Sequence, residues 1–142
     1  GLLQARPAKW VTQAAVQQQG LRGGGWCRAE PQFQLLYALD VLSGNEARTP
    51  ESILHDANDW FVYGTAFARA FGTGSGLPAY LKARPPTPGA ELRRRAARLD
   101  EAGLAVAMEG YLDAPQQRAI LKRRDLLLSL PAADISPARA SR

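Results

Sequence analysis

A chain of 142 residues fits one domain, or one domain with an extension, and its 46% hydrophobic content supplies only a modest core because much of it is alanine. The single cysteine, Cys27, excludes an intrachain disulfide framework, and no apolar run approaches the roughly 20 residues of a membrane-spanning helix. The formal net charge of +5 is unevenly placed: residues 1–60 carry five basic and six acidic side chains (−1), residues 61–142 thirteen and seven (+6), so the C-terminal half suits an acidic protein surface, anionic lipid headgroups or RNA.

In chain order, the sequence predicts a first helix from Ala8 to Gln19, with Pro7 near its start and Gly20 as its stop. Gly23-Gly24-Gly25 is read as a flexible break. Pro31 opens a second helix, in which Leu35, Leu36, Leu39 and Leu42 cluster on one side and Gly44 ends the run. Thr49-Pro50-Glu51-Ser52 reads as an N-cap followed by proline at the first helical position. The third helix carries Ile53, Ala57, Trp60, Gly64, Phe67 and Phe71 at steps of four and three, an aromatic stripe that calls for a buried partner.

Residues 72–88 are expected to be loop, with at most a helical turn from Pro78 to Ala83. A fourth helix runs from Ala90 to Leu112, with Leu92, Ala96, Leu99, Gly103 and Val106 on one face. Asp113-Ala-Pro-Gln is a helix start signal, and the fifth helix continues from Pro115 to Leu130, ahead of Pro131. Ser136-Pro137 begins a tail with Arg139 and Arg142. With no alternating strand pattern of useful length, the expected class is all-α: about five short-to-medium helices joined by Gly/Pro-rich loops, extended rather than built on a large core. The expected division is residues 1–59 as an N-terminal extension, 60–131 as a helical domain and 132–142 as a tail.

Each candidate for chemistry has a plainer reading beside it. Gly72-Thr-Gly-Ser-Gly lacks the lysine and the preceding strand of a phosphate-binding loop, which favours a linker. His55 and Asp59, one turn apart on the third helix, match a metal-ligand spacing, but with one histidine and one cysteine in the chain a surface imidazole is favoured. Cys27 has no sequence-local base. Arg93-Arg94-Arg95 with Arg98, and Lys122-Arg123-Arg124 with Arg118, form two basic clusters, interleaved with Glu91, Asp100, Glu101, Glu109 and Asp125 in a pattern that suggests salt-bridged helix faces as much as a phosphate track. Trp10, Trp26 and Trp60 are spread apart and read as packing residues. No nucleophile–base pair, metal set or cofactor loop emerges, so no catalytic residue, metal or cofactor is expected.

The C-terminal half resembles the small matrix-side helical subunit of the mitochondrial cytochrome bc1 complex, the subunit 7 or ubiquinone-binding-protein family. Trp60-Phe61-Val62-Tyr63 and Phe67 look like that family's aromatic helix, and Arg84-Pro85-Pro86 like the segment before its arginine-bearing helix. Arg95-Ala-Ala-Arg98-Leu99 and Ala102 resemble the core of that helix, while Leu112 and Gln116 keep the family's separation from Arg95. Leu127 and Leu130 fall where the family has its Tyr-Leu and second Tyr, and Asp113 and Gln117 stand where it carries proline and an aromatic residue.

The resemblance implies a non-catalytic accessory subunit of ubiquinol–cytochrome c reductase, respiratory complex III. Such a subunit is peripheral on the matrix side of the mitochondrial inner membrane, has no transmembrane span, and braces cytochrome b and the core subunits. It further implies Trp60, Phe61, Phe67, Arg84, Arg95, Arg98, Leu99, Gln116, Leu127 and Leu130 as partner-binding residues, with an anionic lipid such as cardiolipin as a possible further contact. The start at Gly1 fits a protein trimmed after import. The alternatives from the residues alone are a mitochondrial ribosomal or other RNA-contacting accessory protein, and an accessory subunit of another respiratory or ATP synthase complex.

Overall fold

The computed structural model describes residues 10–23 and 28–132. The expectations placed on Pro7, Ala8, Gly24, Gly25, Trp26, Cys27 and the tail from Ser136 onward lie outside the described residues. In order come β1 (Trp10–Thr12), α1 (Gln13–Gln19), α2 (Ala29–Ser43), β2 (Ile53–Asp56), β3 (Val62–Gly64), α3 (Ala90–Ala96), α4 (Glu101–Ala107) and α5 (Ala114–Ser129), with 3-10 turns at Pro50–Ser52 and Ala79–Leu81.

The fold is mixed, not all-α. A three-stranded antiparallel sheet, in the order β1-β2-β3, stands where helices are expected. β2 is central: Val11 faces His55 on one side, and Val62 faces His55 on the other. Ile53, Leu54 and His55 are buried in succession, so both faces of β2 are covered, and a run buried on both faces shows no strand alternation. The predicted third helix is further precluded by its backbone, because Trp60, Ala66 and Phe71 all take positive φ (57°, 60° and 62°), which no right-handed helix accommodates. Instead, Asp56 closes the hairpin. Its Oδ1 accepts the N–H groups of Asn58 (2.7 Å) and Asp59 (3.3 Å), and its own N–H donates to the Phe61 carbonyl (3.0 Å).

Local signals survive where tertiary pairing does not compete with them. The helix expected from Ala8 begins at Gln13, because residues 10–12 pair with β2; Thr12 caps it by accepting from the Ala15 N–H (3.1 Å), and Gly20 ends it. Thr49 does cap a turn, reciprocally with Ser52, but the turn leads into β2 rather than a helix. α2 stops at Gly44, whose φ of 65° and N–H bonds to Asp40 and Val41 carbonyls form a left-handed C-cap. The buried face of α2 is Leu36, Ala38, Asp40, Val41 and Ser43. Leu35 and Leu39 are exposed, so the four leucines do not share one buried side.

The single helix expected over Ala90–Leu112 is two. Asp100 adopts extended backbone (φ −130°, ψ 171°) and turns its Oδ1 onto the Gly103 N–H (2.7 Å), starting α4 afresh. Val106, expected on one face with Leu92, Ala96, Leu99 and Gly103, is 79% exposed, whereas Ala96 is buried. α5 begins as expected, with a reciprocal box in which Asp113 and Gln116 each accept the other's backbone N–H at 2.8 Å.

The core lies between α2 and α5, where Ala38, Val41, Leu81, Ala96 and Leu127 are buried together and Tyr37, Leu42, Tyr80, Leu92, Leu128 and Leu130 close around them. The sheet packs on another side of α2, so tightly that a Cβ at Gly64 would lie 2.5 Å from Leu36. β2 and β3 thus pair across residue 59, and α2 shares a core with α5.

Candidate functional site

The two basic clusters divide into buried and exposed members. Arg123, 1% exposed, donates from Nε to the Leu42 carbonyl (2.9 Å) and from Nη1 to the carbonyls of Gly72 (2.9 Å) and Gly74. Leu42 lies in the last turn of α2, where carbonyls lack helical partners and the dipole is negative. Arg93 does the same at the end of α5, donating to the Leu130 (2.9 Å) and Leu128 carbonyls, and Arg124 donates to the Leu99 carbonyl beyond α3. Burial pulls the Arg123 guanidinium below its ordinary pKa, yet its bonds all run to carbonyl oxygens. The Gly72–Gly76 stretch therefore offers carbonyls to a cation, the reverse of the N–H array that cradles phosphate.

The remaining cations stand outside. Arg94, Arg95 and Arg98 are exposed on and just beyond α3, as are Arg118 and Lys122 on α5. Arg94 and Arg95 share one carboxylate, Glu91, with Arg95 Nε at 2.7 Å from Oε1. All three are at least half exposed, so these pairs are worth little. Tyr111, after α4, is almost fully exposed, like Val106.

A third group of charges is internal. Asp40, fully buried on α2, accepts from Arg48 Nε (2.8 Å) and Nη2 (2.7 Å), Asn45 Nδ2 (3.0 Å) and the Tyr80 hydroxyl (2.5 Å). Arg48 also donates to the Ser52 (3.3 Å) and Thr65 carbonyls, and its guanidinium carbon lies 4.9 Å above the Phe67 ring centre. Burial works against the Arg48 charge, but the hydrogen bonds and charge of Asp40 outweigh it and raise its pKa. Burial, then the bond to Asp40, pushes the Tyr80 hydroxyl well up. Sequence reasoning missed this network. Its signal is an aspartate in the middle of an apolar α2 stripe, a place where burial demands a partner.

Two cavities flank the sheet side of α2, one of about 660 Å³ and one of about 450 Å³, with Gln13 and Phe33 in the walls of both. His55 lies in the smaller one, 3% exposed, with Nε2 at 2.6 Å from Gln13 Oε1 and no partner on Nδ1. Burial lowers its pKa. The expectation of a surface imidazole one helical turn from Asp59 is overturned: His55 is a buried strand residue, and Asp59 is exposed in the hairpin turn. Among the described residues no group of three His, Cys, Asp or Glu could hold a metal ion, and no helix is long and apolar enough to cross a membrane.

The residues expected to bind a partner are not brought together. Leu127 is in the core and Leu130 packs against it; Gln116 belongs to the α5 cap, and the Leu99 carbonyl receives Arg124. Phe67 lies under Arg48, Trp60 borders the smaller cavity, and half-buried Phe61 closes the hairpin through its carbonyl. Arg84 is exposed at the larger cavity, and Arg95 and Arg98 are exposed at α3. No family model, curated protein or solved structure matches the chain.

Proposed function

We propose that this chain is a non-catalytic accessory subunit that docks through its outward arginines on an acidic or anionic surface of a larger assembly. The observation that carries the reading is the partition of the basic clusters: Arg93, Arg123 and Arg124 are consumed in helix-end bonds, while Arg94, Arg95, Arg98, Arg118 and Lys122 remain exposed. Long-range attraction from such a surface speeds encounter with an oppositely charged partner and fades as salt rises. Exposed Val106 and Tyr111 add apolar contact area.

The host we propose is ubiquinol–cytochrome c reductase, on the matrix face of the mitochondrial inner membrane, with cytochrome b, the core subunits and cardiolipin headgroups as the contacts. Support for this host is the Arg95-Ala-Ala-Arg98-Leu99 segment, which presents both arginines outward. The aromatic segment gives that host no support, because it folds as a strand and turns rather than the family's helix.

The test is an Arg95→Ala/Arg98→Ala double variant followed through detergent fractionation beside the parent. The expected result is comigration of the parent with b- and c-type haem absorbance, loss of comigration in the variant, and an unchanged urea midpoint. Copurification with rRNA that is shed as salt rises would instead establish the RNA-contacting alternative. Normal assembly of a variant that unfolds on its own would make the arginines structural and end the proposal.

A further inference from the structure

The larger cavity, of about 660 Å³, falls in the size range of small-molecule pockets, and the docking reading leaves it unused. It is a groove between α1, α2, the turn at Pro50–Ser52 and the segment from Tyr80 to Thr87. Three rings form a row along it. Phe33 and Tyr37 lie 5.8 Å apart, centre to centre, and Tyr37 and Tyr80 lie 6.3 Å apart, edge to face at 66°. The bond from the Tyr80 hydroxyl to Asp40 (2.5 Å) anchors the last ring of the row.

The charges at the groove narrow the ligand. Arg48 is spent on Asp40, whereas Glu30 and Arg84, of opposite sign, both line the groove and are both exposed. A single glutamine places them. Gln34 Oε1 accepts the Thr87 N–H (2.7 Å), three residues beyond Arg84, and Gln34 Nε2 donates to Glu30 Oε1 (2.7 Å). Pro85 and Pro86 stiffen the link between Arg84 and Thr87. Even so, the two charges do not meet. The ion pairs among the described residues are Arg48 with Asp40, Arg94 and Arg95 with Glu91, and Arg124 with Asp125. Burial raises the pKa of the Tyr37 hydroxyl, Glu30 raises it further and Arg84 draws it down, so both charges act on the middle of the aromatic row.

We propose that this groove binds a free aromatic amino acid as its zwitterion, with the ring against Tyr37 and Tyr80, the carboxylate on the Arg84 guanidinium and the ammonium on the second oxygen of Glu30. The planar fork of an arginine matches a carboxylate, and a carboxylate oxygen accepts from an ammonium. An aromatic acid without the ammonium would set its charge beside an unanswered Glu30. An aromatic amine without the carboxylate would do the same beside Arg84.

Of the four tyrosines, Tyr37 and Tyr80 line the groove and Tyr63 and Tyr111 do not, so rings labelled with carbon-13 supply reporters and controls for NMR. The full chain is titrated with L-phenylalanine, with N-acetyl-L-phenylalanine, which lacks the cation, and with L-phenylalaninamide, which lacks the anion. L-phenylalanine is expected to shift Tyr37 and Tyr80 saturably, to leave Tyr63 and Tyr111 in place, and to bind about tenfold more tightly than either derivative. Arg84→Gln is expected to abolish the preference over the amide and keep that over the acetyl derivative; Glu30→Gln is expected to do the reverse. Both side chains are exposed, and glutamine at position 30 retains an oxygen for Gln34, so both variants should keep the fold. Failure of either derivative to bind more weakly, preferences unmoved by the two variants, or no saturable shift at Tyr37 and Tyr80 would overturn the proposal.

Discussion

At the scale of single residues, the buried charge of Asp40 is held by several partners at once. Asp40 engages Arg48 through two bonds and also takes Asn45 and Tyr80, so each partner removed leaves a buried group unmet. Asp40→Ala should cost about 3–5 kcal/mol in urea unfolding, and the double variant Asp40→Leu/Arg48→Met should cost less than either single change. Its effect on stability contrasts with that of Arg95, an exposed pair partner whose replacement should stay within about 0.5 kcal/mol. His55 gives a pH signature. With its folded pKa below the ordinary 6.5, the unfolded chain takes up the proton more readily. The stability held by the neutral ring is complete above that ordinary value and is lost as pH falls below it toward the folded value. The urea midpoint should therefore drop between about pH 7.5 and about pH 5.5 by more in the parent than in His55→Gln. An equal drop in both would show that His55 does not titrate differently on folding.

At the scale of elements, the caps were legible and the sheet was not. Gly20, Gly44 and the Asp113–Gln116 box mark helix ends in the sequence and in the structure alike, because each acts within a single turn. The segment from Ile53 to Phe71 misled because its apolar spacing satisfies a helical period, while the features that decide against a helix are long-range or conformational. β2 needs β1, more than 40 positions earlier, and three residues must take left-handed φ. The split between α3 and α4 was visible in principle: Asp100 followed by Glu101 is a start signal inside the expected helix. One left-handed position is open to test. Ala66 is exposed at φ 60°, so Ala66→Gly should stabilise the protein by about 1 kcal/mol in urea unfolding, against the usual direction of that change. A loss of stability would show that the turn is not strained. Of the expected site, only the exposure of Arg84, Arg95 and Arg98 matches a surface role. The other members were chosen by spacing, which cannot distinguish a leucine that packs inward from one that meets a partner.

At the scale of the molecule, the halves are interdependent. The hairpin straddles residue 59, and Leu127 of α5 shares its core with Ala38 and Val41 of α2. A fragment of residues 60–132 keeps α3, α4 and α5 but loses their apolar counterpart, so it should show no cooperative urea transition and poor amide dispersion by NMR. A sharp two-state transition of that fragment would mean that α2 is dispensable to the fold. The parts are also joined by two unlike chemistries. The C-terminal end of α2 is tied toward the sheet by the Asp40 carboxylate, through Arg48, and to α5 by a guanidinium resting on peptide oxygens. A substitution at Asp40 removes the first tie and leaves the peptide oxygens of the second as they are. Asp40→Asn should accordingly loosen the molecule from one flank first, with the strand layer detaching while the two long helices remain clasped.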